Sequence, residues 1–380
     1  MLHLSTHWLC VRGRYNFVNI ARCSSSDESY YRDYFADDFP WLDFNLALVS
    51  RYLSKFRMLA LDPTYLSKSG KHTEGAGRFW SGCAQQMKWG MEFTGIAAVD
   101  LSDKTALHLL AVQTSEKAEE ETLLDYYASI VELNAERLRR VSSYLGVDAY
   151  VSRKPMVDSV LGCDMHLVTR LRMDQVLRYF YHGPRRRGSE RPKKYDGRVK
   201  PRDLRPDVFT PCAQDQNGKW MAYEAVVQVK AWKRAARVVI VHDYDQPGNI
   251  KAHRIYVSSD EHLDGGELLH MYQSRFQQEF LYRDAKQELG LDHAQAYSYE
   301  KNDFHVNAAL TILSLAKAAH PLRDQPGEYK DTPFSIADVK TEYLNENQAL
   351  RIIRGCGLDP NQPKIGQLVE QFKQYGKRRA

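Results

Sequence analysis

Between residues 55 and 173 the chain changes its hydrophobic period in one fixed order, and that order restricts the fold more than any other feature. The runs "FRMLALDPTYL", "MEFTGIAAVDL" and "TALHLLAVQT" are short, rich in Leu, Ala and Val, and separated by turn residues, so they predict three strands. A Gly- and Ser-rich stretch, "SKSGKHTEGAGRFWSG", separates the first two and is expected to be a loop. Residues 119–140 then carry Leu123, Leu124, Tyr127, Ile130, Val131 and Leu138 at helical spacing, with acids leading and bases closing the segment, as the helix dipole favours. "SSYLGVDAYV" predicts a fourth strand, "KPMVDSVL" a short helix with Pro155 in its first turn, and "DMHLVTRLRM" a fifth strand. Hairpins first and crossovers after describe an α/β core with a mixed sheet.

The segments around this core divide the chain further. Residues 1–50 predict a short helical N-terminal region, a candidate DNA-binding module, and 51–173 form the first part of the core. Residues 174–262 alternate like antiparallel strands and predict a β-rich insertion with a basic loop. Residues 263–325 return to helices as the last part of the core, and 326–380 predict a helical C-terminal region, a candidate for dimerisation.

Composition narrows the function classes. With 43% hydrophobic and 27% charged residues over 380 positions, the chain is of the globular, soluble class, and no apolar run reaches the ~18 residues that cross a membrane. The six cysteines are scattered without CxxC spacing, so neither a zinc site nor a disulfide framework is expected, and a reduced cytoplasm fits. Residues 184–205 hold ten Lys or Arg against three acids, a local net of +7 that suits a polyanion; Arg185, Arg186, Arg187, Lys193 and Lys194 are its candidate contacts.

Three acids stand where chemistry is built. Asp62 is expected at the end of the first strand and Asp148 at the end of the fourth, the sheet edge where α/β sites form. Two carboxylates brought together there repel unless a cation lies between them, and oxygen ligands favour Mg²⁺ or Mn²⁺. Asp100, Asp158 and Asp164 compete for the same role. The third acid is Glu279, in "YQSRFQQEFLYRDAKQELG". On one straight helix, at about 100° per residue, Tyr272, Arg275, Glu279, Arg283 and Lys286 fall within an arc of roughly 80°. A carboxylate framed by three bases and a phenol reads as a face built to hold anions and a metal.

The spacing Tyr272, two residues, Arg275, three residues, Glu279, six residues, Lys286 resembles the Y-R-E-K signature of a large branch of bacterial insertion-sequence transposases. The contexts "LDPTYLSKSGK" and "GVDAYVSRKP" around the first two acids agree with it, as do the acid separations of 86 (148 − 62) and 131 (279 − 148) residues. The resemblance covers roughly residues 14–315 and implies a ribonuclease H-like fold and DDE chemistry. In that reading Asp62, Asp148 and Glu279 hold two Mg²⁺ ions, with Mn²⁺ as substitute, for cut-and-paste cleavage and strand transfer, with a hairpin as one route. Arg275 and Tyr272 would hold a phosphate near the transposon end, and Lys286, with Arg283 in a weaker role, would touch the strand being cut. Trp232, or else Trp220, would receive a flipped base by stacking. The implied partners are double-stranded DNA, as terminal inverted repeats and target, and a second copy of the chain in a synaptic homodimer at the bacterial nucleoid. Only 61 residues precede Asp62, fewer than relatives often carry, so a trimmed N-terminus is one expectation. Two other readings keep the same core: a DNA-binding remnant or regulator that no longer cuts, and a ribonuclease H-like nuclease.

Overall fold

The computed structural model describes residues 1–114, 122–184, 192–246, 248–320 and 333–377. Four helices open it: α1 (Leu2–Cys10), α2 (Phe17–Arg22), α3 (Glu28–Tyr34) and α4 (Trp41–Tyr52). Asn16 and Asp27 cap α2 and α3 through side-chain oxygens, which gives two very short helices defined starts. Strands β1 (Arg57–Ser67), β2 (Gly77–Ser81), β3 (Gln86–Asp100) and β4 (Thr105–Gln113) follow. The segment read as a loop between the first two strands therefore contains a strand of its own: "GRFWS" pairs with Gln86–Gly90 and extends β3 into a long hairpin.

Helix α5 (Leu123–Arg139) begins with a capping box between Thr122 and Asp125 and leads to β5 (Tyr144–Val147); α6 (Lys154–Gly162) leads to β6 (His166–Leu171). The insertion contributes β7 (Leu177–Phe180), β8 (Tyr195–Arg198), β9 (Thr210–Gln214), β10 (Trp220–Val229), β11 (Arg234–Gln246) and β12 (Asn249–Ser258). Five helices close the chain: α7 (Gly265–Ser274), α8 (Gln277–Glu288), α9 (Tyr299–Ala319), α10 (Ile336–Gly355) and α11 (Pro363–Lys373). Among the described residues no helix is long and apolar enough to cross a membrane.

All the strands join one sheet in the order β2-β3-β1-β5-β6-β12-β11-β10-β7-β8, with β4 on β3 and β9 on β10. Pairing is antiparallel except for β1 with β5 and β5 with β6. The insertion is not a separate sheet, because β12 pairs with β6 through Ile255–Ser258.

Both faces are covered, so the central strands are apolar on consecutive residues. Met58 and Ala60 of β1 pack with Leu281, Leu310 and Leu313 of α8 and α9. Leu59 and Leu61 pack on the other face with Tyr127, Ile130 and Val157 of α5 and α6. This parity decides which way the next residue, Asp62, points: toward α8.

Candidate active site

Asp62 lies in the middle of β1, not at its end, since β1 runs five residues further against β3. The edge is nevertheless there, because the parallel neighbour β5 stops at Val147, the residue beside Leu61. Asp148 is the next residue and follows the parity of Gly146, away from the core that holds Leu145 and Val147. Asp62 and Asp148 therefore share one face at the point where β5 ends.

Helix α8 is docked above that point by two buried polar side chains. The Tyr282 hydroxyl donates to the Asp62 carbonyl at 2.6 Å, and Gln278 Nε2 donates to the Gly95 carbonyl at 2.8 Å. A Cβ on Gly95 would stand 2.1 Å from the Tyr282 hydroxyl, so only glycine lets the helix come this close. Between these anchors in sequence sits Glu279, half-buried at the cavity. The cavity, of about 430 Å³, is bounded by Asp62, Asp148, Glu279, Arg275, Arg170 and Arg172 among others.

Arg275 occupies the middle of the site. It is only 3% exposed; its Nη2 donates to Glu279 Oε1 at 2.8 Å and its Nη1 lies 3.6 Å from Asp62 Oδ1. Its Nε and Nη1 have no hydrogen-bond partner among the described residues. Gly146 makes room for Met58, since a Cβ there would meet Met58 Cε at 2.3 Å, and would only touch Arg275 Cγ at 3.5 Å. Burial, then the charges of Glu279 and Asp148, push the Asp62 carboxyl up to about 7 despite Arg275 and Lys286. Although Arg170, Arg172 and Arg275 line the same cavity and balance the charge, the three carboxylates suit a hard divalent cation. With the guanidinium between two of them, no group of three or more His, Cys, Asp or Glu side chains among the described residues is gathered to hold one.

The anticipated single helix is two. At the joint, Phe276 N bonds to Gln273 O and Gln278 N to Arg275 O, i→i+3 steps that advance the chain by more than 100° per residue. The wheel drawn across 272–286 is therefore broken. Tyr272 is buried against Tyr256, at 5.1 Å between ring centroids, though it still borders the cavity. Arg283 is exposed, bonded to Asp284 and stacked on Phe280, outside the cavity lining. Lys286 donates to Thr64 Oγ1 at 2.9 Å and the Tyr65 carbonyl at 3.0 Å, so its amine clamps α8 to β1, and burial holds its pKa below the usual lysine value.

The tryptophan expectation is corrected. Trp232 is 1% exposed, with its indole N–H on the Ser152 carbonyl at 3.0 Å, and packs in the core, leaving no face for a base. Trp220 is half-buried against the core. Arg185, Arg186 and Arg187 lie outside the described residues; Lys193 pairs with Asp196 and sits over the Tyr181 ring, while Lys194 is exposed. Of the rival acids, Asp158 is paired with Lys154 and Arg234, and Asp164 with Arg139. Arg170 and Arg172 went unread in the sequence, although "TRLRM" carried the signal: two arginines at strand period where a strand ends at the site.

No protein-family description matches the chain, and no curated protein matches it. Among solved structures it is similar to the piggyBac transposase in a cryo-EM synaptic complex with hairpin DNA, at 10% identity and a TM-score of 0.40, covering 97% of this chain and 74% of that one. A likeness of that size carries no weight for activity, and the functional reading rests on the cavity.

Proposed function

We propose that this chain is a DNA transposase of the DDE type, cutting transposon ends and joining them to target DNA at the cavity between β1, β5 and α8. The observation that carries the reading is the meeting of Asp62, in the middle of β1, and Asp148, the residue after β5, with Glu279 on the helix above them. A ribonuclease H-like core is supported by the strand order β4-β3-β1-β5-β6, three antiparallel and then two parallel, with α5 and α6 as the crossovers. Asp62 and Asp148, joined by Glu279, would hold Mg²⁺ or Mn²⁺, which supplies Lewis-acid polarisation of the attacking and leaving oxygens in phosphoryl transfer. For a carboxylate set to form, Glu279 must leave Arg275. A guanidinium released in this way has free N–H groups next to the cavity, suited to a phosphate. Arg170 and Arg172, on the same sheet face as the aspartates, add positive charge where a DNA strand would enter. DNA ends and target are the proposed partners, and a homodimer the proposed working unit.

The test is strand cleavage of a duplex carrying the element's terminal inverted repeat. The parent should nick it only with Mg²⁺ or Mn²⁺, and Glu279→Gln should lose cleavage by orders of magnitude while keeping its fold and DNA binding. Near-parental cutting by Glu279→Gln overturns the three-acid site. Cutting without joining to target favours the nuclease reading instead.

A further inference from the structure

The outer end of the β2–β3 hairpin carries a surface that the cavity does not explain. Strand β2 is the edge of the sheet, and its pairs Arg78↔Trp89 and Trp80↔Met87 put those four side chains on one face of the ribbon. All four are exposed, Trp80 at 54%, Met87 at 51% and Trp89 at 42%. Two indoles held in solvent, diagonal neighbours about 7 Å apart, are unusual for a strand edge, where exposed apolar residues invite aggregation. Neither packs in a core. Trp89 is steadied by its indole N–H on the Gly70 carbonyl at 3.2 Å, and its own carbonyl accepts from the Tyr65 hydroxyl.

The surroundings are basic. Residues 67–90 contain Lys68, Lys71, Arg78 and Lys88 against one acid, Glu74, a net of +3 (4 − 1). Glu74 is exposed, but its carboxylate is engaged, accepting from the Tyr299 N–H. Lys71, Arg78 and Lys88 are exposed and have no ion pair among the described residues. Position matters as much as charge. Odd residues of β3 from Met91 to Val99 face the α8 side of the sheet, the side on which Asp62 sits beside Gly95. Trp89 continues that parity six residues away, about 20 Å along the strand.

We propose that this hairpin face is a stacking platform for unpaired DNA leaving the carboxylate cavity, with Trp80 and Trp89 taking base faces and Arg78 on the same face neutralising phosphates, while Lys71 in the adjoining loop and Lys88 on the opposite face of the ribbon add to the field. The choice of DNA as occupant rests on the transposase reading. An indole can stack on a base only where the base is unpaired, and stacking of this kind is indifferent to sequence. Flat aromatic surface alone would serve a protein partner equally; its setting in a segment of net +3, with Lys71, Arg78 and Lys88 exposed and without an ion pair among the described residues, selects a polyanion.

The test uses the whole chain in EDTA and a fluorescein-labelled thymidine oligonucleotide, with anisotropy and indole quenching as readouts. Binding should quench indole emission. Trp80→Ala should weaken it on the order of tenfold and Trp80→Ala with Trp89→Ala on the order of a hundredfold, while Trp80→Phe stays close to the parent. Arg78→Ala should lower the slope of log affinity against log salt by about 0.7, and Lys88→Ala, on the opposite face of the ribbon, by less. An abasic strand of equal length should bind as weakly as the double variant. Equal affinity for the abasic strand, or parental affinity of the double variant, overturns the platform. So does a double variant that leaves DNA binding intact but shifts the chain from dimer to monomer in sedimentation, which makes the face a contact between copies. Thermal melting controls for folding, and if Trp89→Ala melts early, Trp80→Ala decides alone, since its indole makes no hydrogen bond among the described residues. Because no metal is present, loss of cutting with intact platform binding overturns only the transposase reading, and intact cutting with parental binding of the double variant overturns only this one.

Discussion

Strands β1 and β3 each carry an aspartate, Asp62 in the middle of their pairing and Asp100 at its end, and the two are treated in opposite ways. Asp100, opposite Arg57, is fully buried, and its carboxylate accepts from Ser54 N, Ser54 Oγ, Ser102 N and Asp103 N. Asp62, opposite Gly95, has Arg275 near one oxygen at 3.6 Å, two further carboxylates around its cavity and a carboxyl pushed up to about 7. Asp100 closes a turn whose backbone donors had to be satisfied. Asp62 is left electrostatically unsettled, a state a fold tolerates only where something else is to bind.

The largest expected effect separates these two roles. Asp62→Asn should lower strand cleavage on the order of a thousandfold or more, and adding Glu279→Gln should make it little worse, as for residues that act as a unit. Asp100→Ala should instead cost on the order of 3 kcal/mol of stability, because it strands several donors, while cleavage per folded molecule persists. Denaturant melts alongside cleavage assays check both. If Asp100→Ala cut no better than Asp62→Asn at equal folded fraction, the contrast would collapse.

The pH dependence sharpens the comparison next. The folded carboxyl of Asp62 is raised above its unfolded value, so its contribution is fully present below about 3.8 and is lost as pH rises to about 7. In EDTA, Asp62→Asn should therefore match the parent near pH 4 and exceed it by on the order of 2 kcal/mol at pH 8. Mn²⁺ should restore the parent at pH 8 and leave Asp62→Asn nearly unmoved. A parent whose stability rises between pH 4 and 7 in EDTA, relative to Asp62→Asn, contradicts the burial assigned to this side chain.

How much of this was legible in the sequence depends on what each residue answers to. The succession of core strands and helices along the chain was readable, because buried strands announce themselves by composition, and Asp62 and Asp148 stood out by interrupting it, while Glu279 was singled out by its spacing from charged neighbours. The difference between Asp62 and Asp100 was not, since "LALD" and "AAVD" look alike and the donors that satisfy Asp100 include Ser54, 46 residues away. The bend at Arg275–Phe276 was invisible to a helical wheel, because no Pro or Gly marks it, and it turned Arg283 outward and Lys286 into a clamp. The strand in 77–81 was masked by flanking glycines. Trp232 illustrates the general limit: its place in the core depends on Ser152, contributed by a different part of the chain.

Arg275 gives a smaller and more specific effect. It pairs with Asp62 and Glu279 where a divalent ion would be attracted, so the two cations compete. Arg275→Gln should tighten Mn²⁺ binding to DNA-free protein by roughly three- to tenfold, measured by calorimetric titration, and should weaken binding of DNA ends. Unchanged Mn²⁺ affinity would mean that the guanidinium already stands aside when metal enters.

The smallest effect belongs to the third aspartate that the sequence offered for the role. Asp158 is on α6, away from the cavity lining, and its partners are Lys154 on its own helix and Arg234 on β11. All three side chains are more than a third exposed, so water screens the pairs and the side chains lose rotamer freedom in forming them. Neither cation is buried, so neither is stranded when the carboxylate goes. Asp158→Asn should change stability by no more than ~0.5 kcal/mol, with a loss that shrinks further at high salt, and should leave metal-dependent cleavage at the parental rate. The same substitution chemistry thus gives catalytic loss at Asp62 and near silence at Asp158. Since each is an aspartate to asparagine change, that difference comes from surroundings alone. A drop of several kcal/mol at Asp158, or loss of cutting, would mean that the α6–β11 contact governs the active site through β5, and that the carboxylate edge is less self-contained than its geometry implies.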